Sequence, residues 1–541
     1  MLERPAGLLV RARMWLRRLV VLTAVPPVSY LYAAVYRAHI WYAARRLSAI
    51  PGTRAIYVTR GAASNEVIYG VSDIDLMAIG EWPDGGQARV VKEMGRLAAL
   101  SPIYDPTSTL QVHTPQSLRG MFEGDYFFQF RLDQARQCSR LVFGQDLLGA
   151  LPSVPAMKLR GGYYMETRVW WMQFCTIAFG DGPACEDGVF CNSVAQKAVA
   201  AVLNMEAAMA GAEVEHSRLK SAEAGMKRLD AEEREIVERL QQCWRNRYLE
   251  YSGDAVNDAL QVLLKCIEHI HTLLPAGDPF QPLPGKSLTI DAPPGEVFRS
   301  EAALAHARTA IDHAKRNWPG YRNAFLLPRS SFGGIDDLQL LIDIDPARPP
   351  DSDQIRALCR LPGSESLRQR VALYLLYPNG AYLLDRKTRL EFWHVLESPA
   401  ANPEIFNLLS RPEYVADGEA RVDVFYPWTL FAATVAANEM LLRQTAAAKA
   451  MAGGGAPNSL TMLRGVWRQL QLEVMKKSAA TDTVYVPMTA GAILRGMRAC
   501  GMPDLPILHE LKEAYEQELE GKPSRALQLI PQAIALFSGS R

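Results

Sequence analysis

Apolar and polar positions along the chain repeat with two periods, and the changes of period mark out its elements. Residues 30–47 carry apolar side chains at helical spacing, and Pro51-Gly52 ends that helix. Residues 55–59 (AIYVT) form a short apolar run with β-branched and aromatic content, which predicts a strand. Gly61 opens a turn, and a second strand is predicted over residues 73–79 (DIDLMAI). The loop Pro83-Asp84-Gly85-Gly86 then leads into a predicted helix over 87–100 and a third strand over 109–113 (TLQVH). From residue 163 to about 270 the pattern changes to long helices, among them 192–209 and 231–248. The order predicts an α/β lobe, a small mixed sheet with helices, followed by an all-helical lobe.

Six prolines between Pro275 and Pro294 make that stretch extended and divide the chain near residue 285. A second flexible connection is read at residues 452–459 (AGGGAPNS). The expected organisation is a basic segment 1–29, an α/β domain 30–155, a helical domain 156–272, a Pro-rich linker 273–300, a second α/β lobe 301–425 and a C-terminal helical domain 426–541. At roughly 150 residues per domain, 541 residues agree with three or four structural units.

Composition narrows the function classes. Hydrophobic residues make up 49% and charged residues 22%, which excludes wholesale disorder and a polytopic membrane protein. With Lys plus Arg at 59 and Asp plus Glu at 58, the chain has no overall electrostatic bias toward nucleic acid. Eight scattered cysteines lack the density of a disulfide-stapled domain and the paired spacing of a zinc site, so buried thiols in a reducing, cytoplasmic compartment are expected.

Charge is uneven in one place. Ten arginines fall between Arg4 and Arg60, and no acid lies between Glu3 and Glu66. Residues 19–36 are free of charge, which reaches the lower limit of a membrane span, but Pro26-Pro27 breaks the helix at its middle. Three readings stand: a span, a basic amphipathic segment on an anionic membrane surface or a partner, and a helix packed on the following domain. The second places the protein peripherally on the inner face of a membrane.

Candidate chemistry concentrates in RGAASNEVIYGVSDIDLMAI, residues 60–79. Asp73 and Asp75 are two apart on a predicted strand, so both carboxylates should share one face while Ile74 and Leu76 enter the core. Two such acids suit Mg²⁺ or Mn²⁺, which take carboxylate oxygens and leave positions for waters and substrate phosphates. The Gly61 turn lies twelve residues earlier, where backbone amides could meet a triphosphate.

This segment resembles the core of the nucleotidyltransferase superfamily that includes DNA polymerase β and the aminoglycoside nucleotidyltransferases. The family carries a Gly-Ser turn, a spacer of about ten residues and an Asp-hydrophobic-Asp strand. Gly61-Ala62 stands at the turn, Ser72-Asp73-Ile74-Asp75-Leu76 at the strand, and residues 140–148 (RLVFGQDLL) are similar to a segment following the third core strand. The resemblance implies a nucleoside triphosphate substrate, ATP being the expected one, with Mg²⁺ or Mn²⁺ on Asp73 and Asp75. It also implies nucleotide contacts from Arg60, Gly61, Ala62, Ser64 and Ser72. The sequence departs from the family twice. Ala62 replaces the Ser, with Ser64 as a substitute, and the third carboxylate position falls on Gln111, with Asp105, Glu123 and Asp125 as nearby acids. Lys197, Arg218 and the pair Trp170-Trp171 are read as an exposed helix face and core packing rather than as nucleotide contacts.

The second half carries a short echo. Pro319-Gly320 is followed by residues 325–345 (FLLPRSSFGGIDDLQLLIDID), a strand, turn and strand in which Asp336-Asp337-Leu338-Gln339 stands where SDIDL stands in the first half. A degenerate tandem repeat of the lobe pair is one expectation, and a coincidence of composition the other. Two functions follow: a metal-dependent nucleotidyltransferase acting on an unidentified acceptor hydroxyl, and a noncatalytic scaffold of the same fold binding nucleotide or a protein.

Overall fold

The computed structural model describes residues 4–538 apart from 65, 83–85, 102, 104–111, 117, 120–125, 155, 181–182, 211–225, 227–228, 274–286, 329–336, 364–366, 378–379, 385–395, 398–406 and 422–458. The chain is mixed α/β and divides into two compact units, Met1–Ile177 with Asp181–Cys266, and Ala178–Gly180 with Ile267–Arg541.

The first unit opens with helices α1 (Arg4–Thr23) and α2 (Val28–Ser48), separated where Pro26-Pro27 withholds amide donors. Among the described residues no helix is long and apolar enough to cross a membrane. Helix α2 buries Tyr36, Ile40, Ala43 and Leu47, a stripe at helical spacing, against Ile56, Val58, Leu76 and Ala78 of the sheet. Each large aliphatic side chain in that layer contributes about 1.5–3 kcal/mol.

Strand β1 (Thr53–Thr59) pairs antiparallel with β2 (Asp75–Gly80), from Thr53 opposite Gly80 to Thr59 opposite Asp75. Helix α3 (Gly86–Leu100) leads to β3 (Val112–His113), which lies parallel to β2. After helix α4 (Tyr126–Gln137), strand β4 (Ser139–Gly144) pairs antiparallel with the free side of β1, giving the order β3-β2-β1-β4. Gly144 ends β4 at φ +85°, and a Cβ there would lie 1.8 Å from the Arg54 carbonyl oxygen, so only glycine fits. Four helices follow: α5 (Ala156–Ala178), α6 (Gly188–Met209), α7 (Ala231–Arg245) and α8 (Ala255–Leu273). Asp187 caps α6 and an Asp230–Glu233 capping box starts α7.

The second unit contains strand β5 (Ser287–Asp291), helix α9 (Glu301–Asn317), strands β6 (Tyr321–Pro328) and β7 (Leu338–Ile344), helix α10 (Ser352–Cys359), and strands β8 (Val371–Tyr377), β9 (Gly380–Leu383), β10 (Leu396–Glu397) and β11 (Val415–Asp417). Its large sheet has the order β10-β9-β8-β7-β6-β11. Within it β6 is antiparallel to β7 and to β11, and β7 is parallel to β8. The four strands β8-β7-β6-β11 thus have the pairing senses of β3-β2-β1-β4, and in each sheet a helix precedes the first strand and another joins the parallel pair.

The Pro-rich stretch expected as linker holds a strand. Residues 287–291 contain no proline and keep every amide donor, so β5 pairs in parallel with β12 (Thr483–Pro487), Ser287 opposite Thr483 through Asp291 opposite Pro487. Residues 274–286 lie outside the described residues. The C-terminal part, expected as helical, joins β12 to helices α11 (Ser459–Ser478), α12 (Ala490–Ala499), α13 (Pro506–Glu520) and α14 (Ala526–Ser538). Trp467, Leu470, Tyr515 and Ile530 are central to their shared core.

Candidate functional site

The pairing of Thr59 with Asp75 brings the end of β1 and the start of β2 together, so the turn after β1 and the acids before and on β2 meet at one end of the two central strands. Arg60, rather than Gly61, takes the left-handed backbone, with φ 58°. That conformation costs a non-glycine residue about 1–2 kcal/mol, and it is held by the Arg60 N–H donating to the Cys138 carbonyl at 2.6 Å. Residues Gly61–Ser64 form a single helical turn, too short to present an anion site of its own.

The two acids differ. Asp75 opens β2 and is 5% exposed, whereas Asp73 precedes the strand and is exposed. The expected shared face is therefore divided between an enclosed and a solvated carboxylate, because β1 supplies ladder partners only as far as Asp75. Ile74 and Leu76 are buried in the core as expected. An Arg60 guanidinium nitrogen lies 3.6 Å from an Asp75 oxygen, a loose ion pair. A second guanidinium, that of the buried Arg131 of α4, feels the charges of Asp75 and Arg60 and bonds Glu166 of α5 at 2.5 Å. Burial pulls the Arg131 group down to about 10, with Glu166 opposing that and Arg60 adding to it. Thr59, Arg60, Arg131, Gln134 and Cys138 line a small recess beside them. Burial, with the nearby Glu66 and Asp133 charges, pushes the Cys138 thiol up to about 11, so it is no nucleophile at neutral pH.

Other expected contacts have structural occupations. Ala62 is buried in the core with Ile56, Val58 and Ile74. The Ser64 hydroxyl donates to the Arg60 carbonyl at 3.3 Å. Ser72 closes its loop, its hydroxyl accepting the Ile68 N–H at 2.9 Å and its carbonyl accepting the Tyr36 hydroxyl at 2.5 Å. Trp171 is buried, and Trp170 donates to Glu166 at 2.9 Å while Lys197 stands 5.5 Å from its ring centre. Gln111, Asp105, Glu123, Asp125 and Arg218 lie outside the described residues.

Arg131 and Glu166 were not picked out by pattern, since each reads as one charge on an amphipathic helix. Their burial was the missing signal. In the second unit the β6–β7 ladder ends on Pro328 opposite Leu338, where the first sheet ends on Thr59 opposite Asp75, so no acid opens β7; Gln339 faces Leu327. Asp337, one residue before β7, is buried in an ion pair with Arg464 at 2.7 Å.

For a divalent cation, the described donors are the oxygens of Asp73 and Asp75, hard ligands of the right kind. Among the described residues no group of three or more His, Cys, Asp or Glu is placed to hold a metal ion. The chain matches no protein-family profile and no curated protein sequence.

Proposed function

We propose that residues 30–155 form a nucleotide-binding lobe that transfers a nucleoside monophosphate from a nucleoside triphosphate, ATP being the expected one, to an acceptor hydroxyl, with the helical residues 156–272 as its partner lobe. The supporting observation is the meeting of Asp73 and Asp75 with the strained Arg60 turn at one end of the central strands of a mixed sheet. Bound Mg²⁺ would be held by Asp73 and Asp75 and would supply neutralisation of the triphosphate charge. Arg60 compensates Asp75 when no nucleotide is present and turns to a phosphate when one enters, since a guanidinium serves carboxylate and phosphate alike. Arg131 stays fixed by Glu166. In the transfer, the acceptor hydroxyl gives its proton to water, its oxygen bonds to the α-phosphorus and the bond to pyrophosphate breaks.

A second reading, a noncatalytic scaffold binding nucleotide or a protein, is favoured by the Arg60–Asp75 pair, which places a fixed cation against the enclosed acid. Thermal shift with each nucleoside triphosphate, with and without Mg²⁺, separates the two when run on wild type and on Asp73→Asn with Asp75→Asn. Metal-dependent stabilisation that the double variant loses, joined to label transfer from an α-labelled triphosphate, supports the enzyme. Binding without metal dependence or transfer supports the scaffold, and no nucleotide binding overturns both nucleotide readings.

A further inference from the structure

Of the large hydrophobic side chains exposed among the described residues, all but Leu141, Phe143 and Leu527 lie between Trp15 and Tyr42, on α1, α2 and the turn joining them. Both helices are seated by their inner faces. On α1, Val21 is buried against Ile68 and Tyr248, Arg17 pairs with Asp187 at 2.6 Å, and Arg247 donates to the Val21 carbonyl at 2.8 Å. On α2, the Tyr36-to-Leu47 stripe faces the sheet. The outward faces reverse the usual order, in which a surface helix turns charge to water. Trp15, Leu19 and Leu22 share one outer stripe of α1, and on α2 Tyr30, Leu31 and Trp41 are 69%, 63% and 61% exposed. An apolar patch of this size marks a face that another surface covers.

Charge decides which surface. Residues 4–65 contain ten arginines and no Asp, Glu or Lys; Arg17, Arg46, Arg54 and Arg60 pair with acids elsewhere in the chain, and the exposed Arg18, Arg37 and Arg45 leave the outer face cationic, so the complementary partner is anionic. Arg18, Arg37 and Arg45 are exposed among the apolar side chains, and the Arg45 guanidinium carbon lies 5.4 Å from the Trp41 ring centre. Between Arg18 and Arg37 no residue is charged, and that stretch folds as the α1–α2 turn with the adjoining helix ends. An apolar turn bracketed by cations, with Trp and Tyr beside it, matches the boundary between phosphate headgroups and acyl chains. A protein groove would need no such purely cationic frame.

We propose that α1 and α2 form a monotopic dock for an anionic lipid bilayer, the turn entering the acyl boundary and Arg18, Arg37 and Arg45 meeting lipid phosphates. The dock is independent of the nucleotide reading. Full-length protein is sedimented with vesicles of phosphatidylcholine alone or with about one-third phosphatidylserine, at low and high salt. Wild type should bind the anionic vesicles and weaken with salt. Arg18→Gln, Arg37→Gln and Arg45→Gln together should reduce binding on the order of 100-fold, at about fivefold per arginine near an anionic surface. Leu31→Glu with Trp41→Glu should lose tenfold or more. All five side chains are exposed, and circular dichroism checks that the variants fold. Equal binding by wild type and variants, or equal binding to neutral vesicles, would overturn the proposal. So would self-association that Leu31→Glu with Trp41→Glu abolishes in the absence of vesicle binding, which would assign the face to a second copy of the chain.

Discussion

The pair Asp337–Arg464 offers the sharpest test of how the second sheet is held. The Asp337 side chain is 1% exposed and that of Arg464 8% exposed, with 2.7 Å between their polar atoms. Asp337 also accepts the Arg370 N–H at 3.0 Å, and Arg464 donates to the Arg368 carbonyl at 2.8 Å, so the pair ties α11 to the loop entering β8 and to the start of β7. Replacing Arg464 with Met keeps the length of the side chain and leaves a buried carboxylate without its cation, at a cost of about 3–5 kcal/mol. For a unit of this size, 1 kcal/mol moves the melting temperature by roughly 2–4 °C, so Arg464→Met should lower it by roughly 6–20 °C. Asp337→Asn with Arg464→Met should cost less than the sum of the single changes, because the second removes the charge the first left stranded. Calorimetry measures the melting change, and hydrogen exchange resolved by peptide checks that the loss centres on β7 and α11. As a control, Lys522→Ala, at an exposed pair with Glu520, should leave the transition in place. An Arg464→Met variant within 1 kcal/mol of wild type, or a coupling near zero in the cycle, would refute the buried pair as a strut.

Three further outcomes follow. Gly144→Ala combines a left-handed φ with a backbone overlap and should destabilise the first unit by at least about 2 kcal/mol, read as a fall in its urea midpoint. At Asp291 and Glu296, burial pushes both carboxyls up, but hydrogen bonds from Arg495, with Tyr485 at Asp291 and Thr489 at Glu296, outweigh it and hold both below the usual range. A depressed carboxyl contributes stability fully above its unfolded pKa and loses it as pH falls through the folded one; Arg495→Met should therefore cost about 1–3 kcal/mol at pH 7 and little near pH 2, by urea denaturation at both values. Asp75→Asn removes a buried carboxylate that pairs with Arg60, so it should destabilise by about 1–2 kcal/mol, and a rise in melting temperature would contradict the Arg60–Asp75 pairing.

Local pattern was enough wherever a residue's environment follows from its neighbours in sequence. The α2 stripe at Tyr36, Ile40, Ala43 and Leu47, the break at Pro26-Pro27, the strands ending at Thr59 and beginning near Asp75, and the strand-turn-strand from Phe325 all follow from periodicity and from the donors that proline lacks. Strand β5 was missed because the prolines around it dominate its local composition, while the partner that makes it a strand, Thr483–Pro487, lies 196 residues further along.

The sequence alone determined which residues are chemically available: Asp73 and Asp75 two apart, Arg60 before Gly61, and ten arginines in an acid-free stretch that ends before Glu66. Only the tertiary structure decided what each does in the fold. Alternation puts two acids on one side of an ideal strand, but the ladder with β1 begins at Asp75, so one carboxylate is enclosed beside Arg60 and the other stays in water. A helical stripe is equally apolar whether it faces a core or solvent, and α1 and α2 carry apolar residues on both sides. Packing of Val21 and of the Tyr36 stripe fixed which side turned inward, and so left Trp15, Leu31 and Trp41 outward with the arginines. Burial is a property of every element packed around a side chain, and no window of sequence contains all of them.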